Sequence, residues 1–260
     1  MTLQDDLELA HQLADRADAV TLARFRALDL QVSTKPDLTP VSDADTAVER
    51  ELRDLLAVRR CGDAILGEEQ GSTGAGPRRW VLDPIDGTKN FVRGVPVWAT
   101  LIALQEDGVT TVGVASAPAL GRRWWAATGL GAYAGASASQ GTRLGVSRVS
   151  QLADAHLSYS SLTGWQDQGR LPGLLSLSQR CWRTRAFGDF WSHLLVAEGA
   201  VDASFEPEVS LWDLAALQVI VEQAGGRFTD LAGRATADGG SVVCSNGLLH
   251  DEVLSALQVR

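Results

Sequence analysis

The stretch Trp80-Val81-Leu82-Asp83-Pro84-Ile85-Asp86-Gly87-Thr88-Lys89-Asn90-Phe91 decides how this chain is read. Three apolar residues, Trp80 to Leu82, predict a short buried strand. Two carboxylates follow, three residues apart, just past that strand's end. Pro84 fixes one φ angle, and Gly87 frees the chain for a tight turn. A turn at a strand end is a rigid place for metal ligands. Hard cations such as Mg²⁺ take oxygen ligands, both carboxylates and backbone carbonyls. Asp83 would bridge two ions and Asp86 would hold one. Taken alone, the segment admits a plainer reading: an Asx turn that happens to contain two aspartates.

Three other acidic sites change the balance. Gly67-Glu68-Glu69 follows a short apolar run at 64–66. Asp213 follows Trp212 at the head of a helix predicted over 212–224, which stops at Gly225-Gly226. Asp43 opens a helix predicted over 43–58, with Asp45 also in its first turn. Each has an ordinary role available, helix capping for Asp43 and Asp213 and an exposed loop for the glutamates. Together they put carboxylates at several element ends, as in a site assembled on one face of a fold.

The remaining pattern frames these residues. Leu3, Leu7, Ala10, Ala14, Ala17 and Val20 recur at helical spacing. Lys35-Pro36-Asp37 and Pro40 then mark a loop. Strands are predicted at 97–105 and 110–117, joined by a hairpin through Glu106-Asp107-Gly108, and at 122–127 and 131–134. The second half alternates: strands at 155–160, 201–205 and 242–243, helices at 189–198, 212–224 and 248–257. Two closely packed halves are expected. Residues 1–145 form an α+β half with most metal ligands, and 146–260 an α/β half with Asp213 and the specificity residues. Arg122-Arg123-Trp124-Trp125 reads as a hairpin strand with an exposed basic edge.

Composition removes several classes of function. At 260 residues, 45% apolar and 21% charged, the chain suits a globular fold rather than a disordered one or a coiled coil. Its net charge of −9 argues against a nucleic-acid partner. No apolar run approaches the roughly 20 residues that span a bilayer. The acidic N-terminus, with Asp5, Asp6 and Glu8, is unlike a secretory signal, so a cytoplasmic protein is expected. Cys61, Cys181 and Cys244 are far apart and form no zinc-type pair; reduced, mostly buried thiols are expected.

The set closely resembles the inositol monophosphatase family of Mg²⁺-dependent phosphomonoesterases. The segments that carry the resemblance are Gly67-Glu68-Glu69, Trp80 through Phe91, and Leu211-Trp212-Asp213-Leu214-Ala215-Ala216 continuing to Glu222-Gln223-Ala224-Gly225-Gly226. The loop from Lys35 to Asp43 matches in kind, and the likeness spans nearly the whole chain. It implies a layered αβαβα fold of α+β class, a homodimer, and two or three Mg²⁺ ions. Carried over residue by residue, it implies that Glu68, Asp83 and the Ile85 carbonyl hold one ion, and Asp83, Asp86 and Asp213 a second. It further implies that Thr88 and Glu68 orient an attacking water, and that Asp43 supports Thr88. The resemblance also implies that the Gly87 and Thr88 amides hold phosphate and that Glu69 stands behind the ligands. No His or Cys nucleophile is needed, so direct attack by water is expected.

The ester is a separate question. In Arg185-Ala186-Phe187-Gly188-Asp189-Phe190-Trp191, Asp189 and Phe190 stand where the family usually has a hydroxyl residue and a small one. Glu206 matches a family glutamate that contacts the substrate alcohol. Two acids would thus face the leaving group, and histidinol, with an ammonium group and an imidazole, would be attracted. Phe190 and Trp191 would pack its ring, and Arg185 would partly neutralise Asp189. Alternatively, Asp189 caps a helix and both aromatics are core. Gly188 to Trp191 and Asn90 to Ala99 resemble the bacterial branch of the family that acts on histidinol phosphate. The expected activity is therefore hydrolysis of L-histidinol phosphate in histidine biosynthesis. Inositol-1-phosphate or broad phosphomonoester hydrolysis is the nearest alternative, and a non-catalytic metal or ligand sensor a remote one.

Overall fold

The computed structural model of the protein describes residues 2–36 and 38–258. Asp37, part of the loop that carries the resemblance, lies outside the described residues. The first half begins with α1 (Leu3–Arg24), β1 (Val32–Thr34), β2 (Pro40–Ser42), α2 (Asp43–Arg59), β3 (Ala64–Gly67), β4 (Gly71–Thr73) and β5 (Arg78–Asp86). It continues with α3 (Thr88–Val92), β6 (Ala99–Glu106), β7 (Val109–Ala117), β8 (Arg122–Ala127), β9 (Gly131–Gly135) and β10 (Thr142–Arg143). Then come β11 (His156–Tyr159), α4 (Leu162–Asp167), α5 (Leu171–Ser178), β12 (Arg183–Arg185) and α6 (Asp189–Ala197). The chain closes with β13 (Ala203–Glu206), α7 (Leu211–Gln223), β14 (Arg227–Thr229), β15 (Val242–Ser245) and α8 (His250–Leu257).

Two sheets order these elements. The larger runs β10-β9-β8-β7-β6-β5-β3-β4, antiparallel except where β3 lies parallel to β5. The smaller runs β12-β11-β13-β15-β14 and mixes both senses. Strand alternation decides which side each residue faces. Trp80 and Leu82 pack with α1 and α2, through Leu9, Leu13 and Leu52. Val81, Leu101 and Ala103 face the other way, onto α6 and α7. Beyond those helices lies the smaller sheet, whose far face packs on α4, α5 and α8 through Trp165, Leu177 and Val253. The order is helix, sheet, helix, sheet, helix, the layered α+β arrangement that the resemblance implies.

Helix α7 lies between two sheets, which explains its composition. Leu211, Leu214, Ala215, Ala216, Leu217, Val219, Ile220 and Val221 are all buried, so it is apolar nearly all round rather than along one stripe. A Cβ at Gly113 would lie 2.5 Å from the Ala216 carbonyl oxygen, so only glycine lets α7 sit this close to β7. Each fully buried Leu or Ile contributes about 1.5–3 kcal/mol relative to exposure. That packing holds the first turn of α7, with Asp213, against the large sheet.

Several expectations need correction. Residues 32–34 and 40–42 form a short antiparallel ladder, so Pro40 begins a strand rather than extending a loop. Strand β5 does not stop at Leu82: Asp83 still pairs with Leu101, and Asp86 pairs with Ala99. Pro84 and Ile85 are taken up in an irregularity between them. The basic edge at Arg122-Arg123 is half hidden. Arg123 is buried and donates to Asp15, Asp18 and Ser116, fastening α1 to the sheet. All three cysteines are free, but only Cys244 is buried. The short elements α4, α5, β12 and β14 carry too little periodicity to be read beforehand.

Candidate active site

A cleft of about 470 Å³ opens between the end of β5, the starts of α6 and α7, and the β1–β2 hairpin. Its lining includes Glu68, Asp86, Gly87, Thr88, Asp189, Glu206 and Asp213. The irregularity in β5 explains how both aspartates of the opening motif point inward. The Ile85 amide donates to Asp83 Oδ1 over 3.0 Å, so the Asx turn is real and coexists with a ligand geometry. Carboxylate oxygens of Asp83, Asp86 and Asp213 all lie within 4.8 Å of one another.

Two helix starts deliver the other acids by one device. At α7, Ser210 is the N-cap, and its amide donates to Asp213 Oδ2 over 2.7 Å. This capping box pins one oxygen of Asp213 and leaves the other for the cluster. At α2, Ser42 is the N-cap and Asp45 its partner: the Ser42 amide and hydroxyl both donate to Asp45 Oδ2, at 2.8 and 2.6 Å. The second oxygen, Oδ1, accepts from the Thr88 hydroxyl at 3.1 Å. Asp45, not Asp43, therefore supports Thr88. Asp43 instead pairs with Arg24 at 2.7 Å and ties α2 to α1, outside the cleft lining. The two aspartates stand two places apart on a helix, so they face different ways. The Ser-x-x-Asp spacing at 42–45, repeated at 210–213, was the signal for Asp45.

Glu49 was also missed. It is fully buried and accepts from the Glu69 and Gln70 amides at 2.7 and 3.1 Å. A Cβ on Gly67 would lie 2.2 Å from Glu49 Oε1, so this turn requires glycine. Glu49 thereby fixes the Gly67-Glu68-Glu69 turn.

Mg²⁺ fits this donor set. Burial pushes the Asp83 carboxyl well up from its ordinary value, and Glu68, Asp86 and Asp213 add repulsion. Burial does the same for Asp86, with Asp189 and Asp213 next to it. Asp213 is pushed up to about 7, mainly by burial, with Glu68 and Glu206 contributing. Such crowding calls for a cation. One cation is already present: the Lys35 ammonium contacts Glu68 and Glu69 at 2.7 Å each. A hard, all-oxygen site that recruits an ammonium suits Mg²⁺ better than a softer metal.

On the other wall, Asp86 Oδ2 accepts from the Phe190 amide at 2.7 Å, which joins the first turn of α6 to the acid cluster. Asp189 adopts a left-handed φ of 48°, and its Oδ2 accepts from Asn90 Nδ2 at 3.2 Å. Gly188 is the N-cap of α6 and no side chain caps it, so Asp189 does not serve as the cap; it lies in the cleft lining instead. Burial, then Glu206, pushes Asp189 up to about 6. Glu206 pairs with His193 at 3.1 Å. Phe190 is in the cleft lining, but its ring is buried against Trp124; Trp191 packs on Phe187 and lies outside the lining. Trp212 also lines the cleft. Arg185 is exposed, donates to the Thr184 carbonyl and lies outside the lining, so it does not neutralise Asp189.

The model of the inositol monophosphatase family matches residues 2–260. The histidinol-phosphatase of Mycobacterium tuberculosis is 61% identical over 97% of this chain and 98% of its own length. That of Streptomyces coelicolor is 59% identical over 98% of each. Among solved structures, the extragenic suppressor protein suhB of Bartonella henselae superposes with a TM-score of 0.89 at 27% identity, over 98% of each chain. With its layered fold, clustered acids and full-length likeness, this chain belongs to the inositol monophosphatase family.

Proposed function

We propose that this protein hydrolyses L-histidinol phosphate to L-histidinol and phosphate, using Mg²⁺ and a directly attacking water. Asp83, Asp86, Asp213, Glu68 and the Ile85 carbonyl would hold two or three ions. Bound there, Mg²⁺ supplies Lewis acidity, neutralising the phosphoryl oxygens and easing departure of the alcohol. The chain's own groups do the rest. Thr88 Oγ1 holds the water, and its own proton goes to Asp45 Oδ1 or the Ile85 carbonyl, which lie 3.1 and 2.9 Å away. Amides of Gly87 and Thr88, at the start of α3, face the phosphate with no carbonyl one turn back to occupy them. Glu68 helps orient the water.

The observation that carries the choice of ester is the pair Asp189 and Glu206 on the cleft wall built by the second half. A neutral polyol can donate hydroxyls to these acids but brings no charge to offset them, whereas an amino alcohol with an imidazole brings both donors and positive charge. The names of the two relatives near 60% identity support the same ester. The reading extends to a homodimer in the cytoplasm with no nucleic-acid partner, in keeping with the charge of −9. No helix among the described residues is long and apolar enough to cross a membrane.

Phosphate release from a panel of monoesters tests the reading. Histidinol phosphate should be cleaved with Mg²⁺ and not with excess chelator. Solvent ¹⁸O should appear in the phosphate, with no phosphoenzyme trapped. No release from any ester would favour a metal or ligand sensor.

A further inference from the structure

His193 belongs to none of the groups used so far, yet it is 1% exposed and touches the cleft wall. It lies one turn after Asp189 on α6, so both side chains come off the same face of that helix. Its Nε2 is 3.1 Å from Glu206 Oε1. Its Nδ1 is 2.6 Å from Ser204 Oγ and 3.3 Å from Cys244 Sγ, and Ser204 Oγ is 3.2 Å from that sulfur. An ionised carboxylate only accepts, so Nε2 carries a hydrogen and donates it to Glu206. Glu206 Oε2 makes no hydrogen bond among the described residues.

The groups are those of a nucleophilic triad, in an inverted placement. Ser204 is fully buried within β13, and the carboxylate is the end that lines the cleft. A buried serine meets no substrate, so the chain of bonds serves the carboxylate. Glu206 lies among Asp86, Asp189 and Asp213 and adds to the repulsion on each. His193 is the cation in contact with it. Burial alone would favour the neutral ring, but Cys244 and Glu206 outweigh it and push the His193 pKa up to about 10.

We propose that His193 is a positioning residue for substrate choice, holding Glu206 through Oε1 so that Oε2 is left to bind the cationic end of the leaving group. This rests on the histidinol phosphate reading of the cleft.

The experiment compares His193→Leu with His193→Gln, whose amide keeps a donor near the Nε2 position, on histidinol phosphate and inositol 1-phosphate. With His193→Leu, the loss on the histidinol ester should exceed that on the inositol ester by about tenfold, and it should appear in KM rather than kcat. His193→Gln should recover most of it. Should the leucine variant fail to fold, His193→Asn, polar but too short to reach Glu206, carries the same expectation. Equal losses on both esters, or a loss confined to kcat, overturns the role of His193 while the choice of ester stands. If the unmodified enzyme does not prefer histidinol phosphate, the choice of ester fails, and this proposal fails with it.

Discussion

The two walls of the cleft are built on different principles. The first-half wall sets its acids mainly by backbone devices, an Asx turn at Asp83, a capping box at Asp45 and amides bound to Glu49, with the Lys35 ammonium across Glu68 and Glu69. The second-half wall holds Asp189 and Glu206 through side chains, Asn90 and His193. Backbone devices place an atom wherever the local sequence recurs, which suits a reaction common to many esters. Side-chain partners change with a single substitution, which suits the choice among esters. Asp213 bridges the two, since its capping box is a backbone device set on the second half.

Substitutions on the two walls should therefore fail in different ways. Asp83→Asn should have the largest effect, about a thousandfold or more in kcat/KM on every ester, because it removes a charge that the ions and phosphate share. An ester-selective loss would break the comparison. Asp45→Asn should cost about 10- to 100-fold, again on every ester, by releasing Thr88. Asp43→Asn should stay within about threefold, because it only loosens a contact between α1 and α2. If Asp43→Asn proves the more damaging in steady-state kinetics, the assignment of Asp45 is wrong. Asp189→Asn should raise KM for histidinol phosphate about tenfold while sparing inositol 1-phosphate. Equal changes would remove Asp189 from recognition.

What could be read beforehand follows the same division. The Trp80–Phe91 stretch, Glu68 and Asp213 were legible because strand ends and helix starts leave local patterns, and most long elements were found within a few residues. The Asp43 assignment failed because two acids share one helix turn, and only the serine three residues before Asp45 tells them apart. Glu49 and His193 were invisible. Each is a polar residue within a helix whose partner lies on another element, in Glu49's case the amides of residues 69 and 70. Trp191 and Arg185 were misplaced because sequence gives a residue's neighbours but not the side of the strand or helix it faces.

The acid cluster also predicts a smaller, pH-dependent effect. In the metal-free protein, burial pushes Asp213 up to about 7, above the roughly 3.9 of an unfolded aspartate. Asp83 and Asp86 shift the same way. These groups stabilise the metal-free fold fully below the unfolded value, and that contribution is lost as pH rises through the folded one. Mg²⁺ replaces the protons, so the rise in Tm on adding Mg²⁺ should grow between pH 5 and pH 8, by roughly 2–4 °C per kcal/mol. His11 and His250, lowered to about 4, act in the opposite sense. They do so with or without the ion and cancel in the difference. A Mg²⁺ effect that is flat with pH would contradict the cluster as the site.

The most direct test of the central claim is kcat/KM for L-histidinol phosphate and inositol 1-phosphate, measured side by side with saturating Mg²⁺. The two-acid wall predicts at least about a hundredfold preference for the histidinol ester. Equal efficiency on the two esters would contradict it.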